Sequence, residues 1–250
     1  MFSVKQIVAS KMALLIATIV FMAAGGASAA DEPARPPLLN AEAVATASKA
    51  LLTGSVVVRA PVGPWFEANT RDNRSVSVFF YGSYMVPQFV ASRLSVAAVR
   101  SMKPAVAYGA RRVFDFVVPA PTGSGLQKPT GGPTIELSAQ PSDVVNGVVV
   151  DISAVDARKI AGPENVFDLV PMLVTVWPIN KADPLMPQKA FALVAPVSRR
   201  DASLEPHAEF WCAIDKGITS FGGEFHRLWR ETTYRGGLAT RVAEKQPKCN

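Results

Sequence analysis

The sequence predicts an α+β fold, mainly antiparallel sheet with a few flanking helices and strand-rich after residue 133. Two observations carry that prediction. Runs of branched and aromatic residues recur at short intervals over residues 134–138, 144–152, 171–177 and 190–197, and such side chains pack well on a pleated surface. Helical spacing of apolar residues occurs in only a few stretches, so the regular crossover helices of a parallel sheet are missing.

Taken in order, residues 1–29 have the layout of a cleavable signal peptide. Lys5 and Lys11 precede an apolar run over 12–24, and Ala27-Ser28-Ala29 supplies the small residues of a cleavage site. The competing reading is an uncleaved membrane anchor, which requires roughly 20 predominantly apolar residues. The Gly, Ala and Ser that end this run are too weakly apolar to favour it. Residues 30–39 form a leader containing Pro33, Pro36 and Pro37.

Residues 40–118 read as an α/β N-terminal part. Asn40 is placed to cap a helix over 41–52, with Gly54 at its stop. Strands follow over 55–59 and 75–81, joined as a hairpin across the polar stretch 69–74. A single long helix is predicted over 87–103, with Pro87 in its first turn and Pro104 ending it. Residues 113–118 form the next strand.

The segment 119–133 is so dense in Pro and Gly that it reads as a long loop or linker, the one internal boundary. The strand-rich C-terminal part, 134–250, adds a short helix over 154–161 and a strand over 209–214. It ends on an amphipathic helix over 224–234 that turns Phe225, Leu228 and Trp229 inward.

The formal charge is +6, but Arg93, Arg100, Lys103, Arg111 and Arg112 are interleaved with apolar residues. That spacing describes the solvated side of an element, and no massed basic face speaks for nucleic-acid binding. Cys212 and Cys249 are the two cysteines. With no C-x-x-C between them, an even pair in an oxidising space is expected to form a disulfide, worth about 4 kcal/mol by chain entropy.

Motifs with chemistry are scarce, and the catalytic residues stay unassigned. No G-x-S-x-G elbow accompanies the two histidines. Gly123-Ser124-Gly125 with Lys128 lacks the spacing of a phosphate loop. His207 and Glu209 would share one face of a strand, with His226 reaching them from a helix; these are metal-ligand types, too few for a site, and no metal or other cofactor is expected. Asp151, Asp156, Asp168, Glu205 and Glu209 are the carboxylates that glycoside chemistry would draw on. Trp65-Phe66, in a Pro- and Gly-broken loop, is the candidate interaction pair.

By elimination, the sequence predicts an exported envelope protein, periplasmic or secreted, with a binding, adaptor or structural-assembly role toward a protein partner. Neither a nucleic-acid partner nor a transmembrane span after cleavage is expected, and an oligomer is compatible with the chain. The alternative is a hydrolase that attacks an envelope polymer through its carboxylates.

Overall fold

The computed structural model describes residues 38–119, 128–162, 165–177 and 184–236, all within the unit Pro33–Asn250. The expected signal peptide, nearly all of the leader, the middle of the 119–133 segment and Cys249 lie outside the described residues. The helices are α1 (Ala41–Leu52), α2 (Gly63–Asn69), α3 (Pro87–Arg93), α4 (Val96–Ser101), α5 (Ala154–Ala161), α6 (Ala208–Gly217) and α7 (Gly223–Glu231). The strands are β1 (Val76–Phe80), β2 (Lys103–Tyr108), β3 (Ala110–Val118), β4 (Thr130–Leu137), β5 (Val144–Ile152), β6 (Asp168–Val176), β7 (Pro187–Val194) and β8 (Thr233–Arg235). The fold is α+β with mostly antiparallel pairing.

Five strands, buried along most of their length, close a barrel in the order β1-β5-β2-β6-β7. Every pair in it is antiparallel except the closing contact of β1 with β7. A barrel of five strands has little room inside, so its interior needs small residues facing large ones. Ala105, Ala107, Ala190 and Ala192 meet Phe79, Met172 and the valines of β5 and β6 in one buried cluster. Gly147 on β5 lies against the Phe79 ring, where an added Cβ would sit 2.5 Å from Phe79 Cζ. The opposite faces of β1 and β5 turn Val78, Phe80, Val148 and Val150 toward the helices, in a second cluster with Trp211 and Trp229.

A second sheet, in the order β4-β3-β8, grows from the barrel. The chain leaves β2 and turns into β3 at Gly109, whose φ of +68° suits glycine. Residues 130–133, expected in the Pro- and Gly-rich loop, form the first half of β4, with Pro133 opposite Phe114 and Gly131 opposite Val117.

Several sequence expectations are corrected by tertiary contacts. The 55–59 strand reduces to one bridge, Val58 to Leu169, so the predicted hairpin does not form. Residues 63–69 are helical, because Pro64 sits in the first turn where it is tolerated. The segment 209–214 is helix, not strand: Trp211, Ile214 and Ile218 are buried at helical spacing. The long helix over 87–103 is two helices, and Lys103 to Tyr108 is a strand.

The break between α3 and α4 has an identifiable cause at Asp156. Its carboxylate accepts from Ser95 N at 2.6 Å, from Ser95 Oγ at 2.8 Å and from Ser153 Oγ at 2.7 Å. Ser95 and Ser153 are the N-caps of α4 and α5. One buried carboxylate therefore holds two helix starts together. Burial alone would raise its pKa, but the hydrogen bonds from Ser153 and Ser95 outweigh that and lower it.

Two stability predictions follow from this packing. Gly147→Ala is expected to cost about 1–3 kcal/mol, since the new methyl group meets an aromatic ring in a filled barrel, and denaturant titration measures it. Asp156→Ala is expected to cost about 2–3 kcal/mol at neutral pH by leaving both caps without their acceptor. Because the folded-state pKa is lowered, the Asp156 contribution is complete above the ordinary value of 3.8 and is lost as pH falls through the folded value. The wild-type and Asp156→Ala stability curves should therefore converge in acid, and a gap that persisted there would contradict the assignment.

Candidate functional site

Where β1 ends, the chain leaves the barrel through Tyr81-Gly82-Ser83 and enters a 3₁₀ turn at Ser83–Met85. Gly82 is squeezed against Pro133, whose Cγ would lie 3.0 Å from an added Cβ. The turn satisfies its carbonyls internally: Met85 N donates to Gly82 O at 2.9 Å and Val86 N to Ser83 O at 3.0 Å. The amide N–H groups of Gly82 and Ser83 have no hydrogen-bond partner among the described residues.

Beside this turn lies a cavity of about 260 Å³ between the barrel mouth and the second sheet. Its walls are mostly aromatic and aliphatic: Phe80, Tyr84, Phe116, Phe167, Phe210, Val118, Val166 and Leu193, with Gly132 and Pro133 from β4. Phe80 stacks on Tyr84 with ring centroids 4.6 Å apart, and Phe116 meets Phe167 at 4.7 Å. Among the described residues lining it there is no carboxylate, histidine, cysteine or lysine. Glu164, two positions before Val166, lies outside the described residues.

Tyr81 is held at both ends. Its hydroxyl donates to Leu193 O on β7, and its carbonyl accepts from Arg112 Nε at 2.9 Å. Arg112 reaches this point from β3 and is fully buried. It also donates to Thr233 Oγ1 at 2.8 Å, to Asn146 O and to Asn146 Oδ1 at 3.3 Å. The guanidinium lies 5.9 Å from the Trp229 ring centroid. No carboxylate pairs with it among the described residues. Burial pushes its pKa down to about 9, which leaves it charged at neutral pH.

One flank of the cavity is fixed by a separate ion cluster. Arg200 grips the buried Asp115 carboxylate through Nε and Nη2, the latter at 2.7 Å, and reaches Glu136 at 3.1 Å. Burial works to lower the Arg200 pKa, but the hydrogen bonds and charges of Asp115 and Glu136 raise it above its ordinary value. These groups neighbour Phe116 along β3 and stay out of the cavity.

The structure separates the residues singled out by sequence. Phe66 is fully buried and Trp65 is half-buried, packed on Phe191 at 4.6 Å, so this pair is not an exposed interaction patch. His207 is buried just before α6 with its ring tilted against Phe210 at 4.7 Å, while Glu209 is exposed. His226 bonds to Asp215 at 2.8 Å, near the other end of α6 and about 12 Å along the helix from His207. No metal-holding group of His, Cys, Asp or Glu exists among the described residues. Cys212 is disulfide-bonded; Cys249 lies outside the described residues.

The carboxylates are dispersed. Asp156 caps helices, Asp168 pairs with Arg59 at 2.6 Å, Glu205 pairs with Arg235, and Asp151 accepts from Ser77 at 2.8 Å on the surface. No two of them face each other across the cavity, which removes the basis for the polymer-hydrolase alternative. Arg112, read from sequence as a solvated cation, is fully buried. Sequence reasoning also missed the Tyr81-Gly82-Ser83 turn, whose only signal was a glycine ending an apolar strand.

No family model matches the chain, and no curated protein matches it. Among solved structures, the fold is similar to a gamma-glutamyl cyclotransferase at 19% identity and a TM-score of 0.45, over 71% of this chain and 94% of that one. It is similar to an uncharacterized protein from Homo sapiens at 19% identity and a TM-score of 0.39, over 71% of this chain and 90% of that one. YkqA from Bacillus subtilis follows at 15% identity and a TM-score of 0.45, over 70% of this chain and 56% of that one. The expectation of an adaptor or structural-assembly role is corrected on the structure itself: of the pair expected to engage a partner, Phe66 is fully buried and Trp65 is half-buried against Phe191.

Proposed function

We propose that the chain binds a small molecule in the cavity at the barrel mouth. The observation that carries this reading is the pairing of apolar walls with the Gly82 and Ser83 amides at one end, which have no partner among the described residues. A concave, mainly apolar space with a few convergent polar groups is the usual form of a ligand site. A ligand of matching shape has an apolar or aromatic body against Phe80, Phe116, Phe167 and Phe210, and a hydrogen-bond-accepting head at the turn. Chemistry on such a ligand would need an acid or base from outside the described lining.

Phenylacetate and phenylacetamide have this shape and serve as probes. With about ten heavy atoms, a fitting probe is expected to bind with Kd on the order of 0.1–1 mM, measured by ligand-observed NMR. Val118→Trp, which fills the cavity from a half-exposed rim position, should weaken binding by at least about tenfold with little change in Tm. Absence of binding by both probes, or undiminished binding to Val118→Trp, would overturn the reading.

A further inference from the structure

Resting on that cavity reading, we infer that Arg112 is the specificity-determining residue of the site and makes it select an anionic head over a neutral one of the same shape. The inference starts from the peptide between Tyr81 and Gly82. Arg112 Nε donates to the carbonyl of that peptide at 2.9 Å. The N–H of the same peptide, on Gly82, has no partner among the described residues and borders the cavity. A peptide whose carbonyl accepts from a cation becomes a stronger donor at its N–H, because hydrogen bonds in series polarise one another and do so most in a low-dielectric interior.

Among the described residues, no carboxylate compensates the charge behind this peptide. Every acceptor that the structure gives Arg112 is neutral: the carbonyls of Tyr81 and Asn146, Asn146 Oδ1, Thr233 Oγ1 and, at 3.8 Å, Met85 Sδ. A guanidinium buried for stability alone is normally paired with a carboxylate, since an unpaired buried charge is costly. Here the neighbouring ion cluster shows that pairing within the same sheet: Asp115 and Glu136 are both taken by Arg200. Arg112 is left with its field directed through the turn, and a ligand anion at Gly82 and Ser83 would be its missing counter-charge. It touches the turn and not the ligand, so it acts as a positioning and electrostatic residue.

The test compares phenylacetate with phenylacetamide on the full-length protein, for wild type, R112K and R112M, with Tm measured in parallel. Wild type is expected to prefer the acid by roughly tenfold or more. R112K, which keeps the charge, should retain most of that preference. R112M, which keeps the volume and removes the charge, should bind the two probes about equally while still binding the amide. If R112M does not fold, R112Q supplies a neutral side chain that retains a donor, with the same expected parity.

Equal affinity of wild type for acid and amide would overturn the inference and leave the cavity reading standing. So would an acid preference that survives in R112M or R112Q. Loss of both probes in R112K and R112M alike would show that Arg112 only shapes the turn. Failure of wild type to bind either probe would overturn the cavity reading and this inference together.

Discussion

The hydrogen bonds of Arg112 gather three strands and the turn after β1 onto one fully buried side chain. Its guanidinium touches the end of β1 through Tyr81, β5 through Asn146 and β8 through Thr233. Asn146 passes the connection on by donating to Phe225 O at 2.6 Å, and Thr233 donates to Trp229 O at 2.5 Å. The barrel, the second sheet and α7 therefore meet on one cation. Desolvating it is expensive, and the offset comes from neutral acceptors and the Trp229 face, each modest alone.

The barrel explains why the cavity is where it is. Five strands enclose too little space for a ligand, and Phe79 with the alanines of β2 and β7 fills what there is. Free volume is displaced to the mouth, where β1 departs and β3 and β4 stand off as a separate sheet. Glycines at 131 and 132 let β4 come close to β3: an added Cβ on Gly132 would lie 2.8 Å from Val118 Cγ2, and one on Gly131 would run into the Phe114 carbonyl. The same close approach brings Pro133 onto Gly82, so the sheet that walls the cavity also presses on its binding turn.

Much of the fold was legible in local pattern, and little of the site was. The expected bounds of α1, α5 and β5 coincide with the structure, because Asn40 and Ser153 cap their own helices and β5 is dense in valine. The split of the 87–103 helix was not legible, since its cause is Asp156, which is 61 residues from Ser95. Arg112 looked like any other cation between apolar neighbours; only β8 and α7 closing over it from more than a hundred residues away make it interior. The cavity lining comes from six separated stretches, none of which carries a titratable motif. A search for acids, bases and metal ligands passes over such a site, and function by elimination then drifts toward an adaptor.

The turn at Tyr81 has the character of a preorganised binding element. Its tyrosine is fastened to β7 and to Arg112, its glycine is wedged by Pro133, and its carbonyls are occupied within the turn. Among the described residues, the Gly82 and Ser83 N–H groups have no partner. Groups held in place before binding lose little further freedom when a ligand arrives, so the affinity they confer is not spent on ordering the loop. Apolar walls around them raise the worth of each hydrogen bond by excluding water. A site built in this way needs no charged side chain on its surface to discriminate charge, because a buried cation one peptide away can set the potential while the backbone makes the contact.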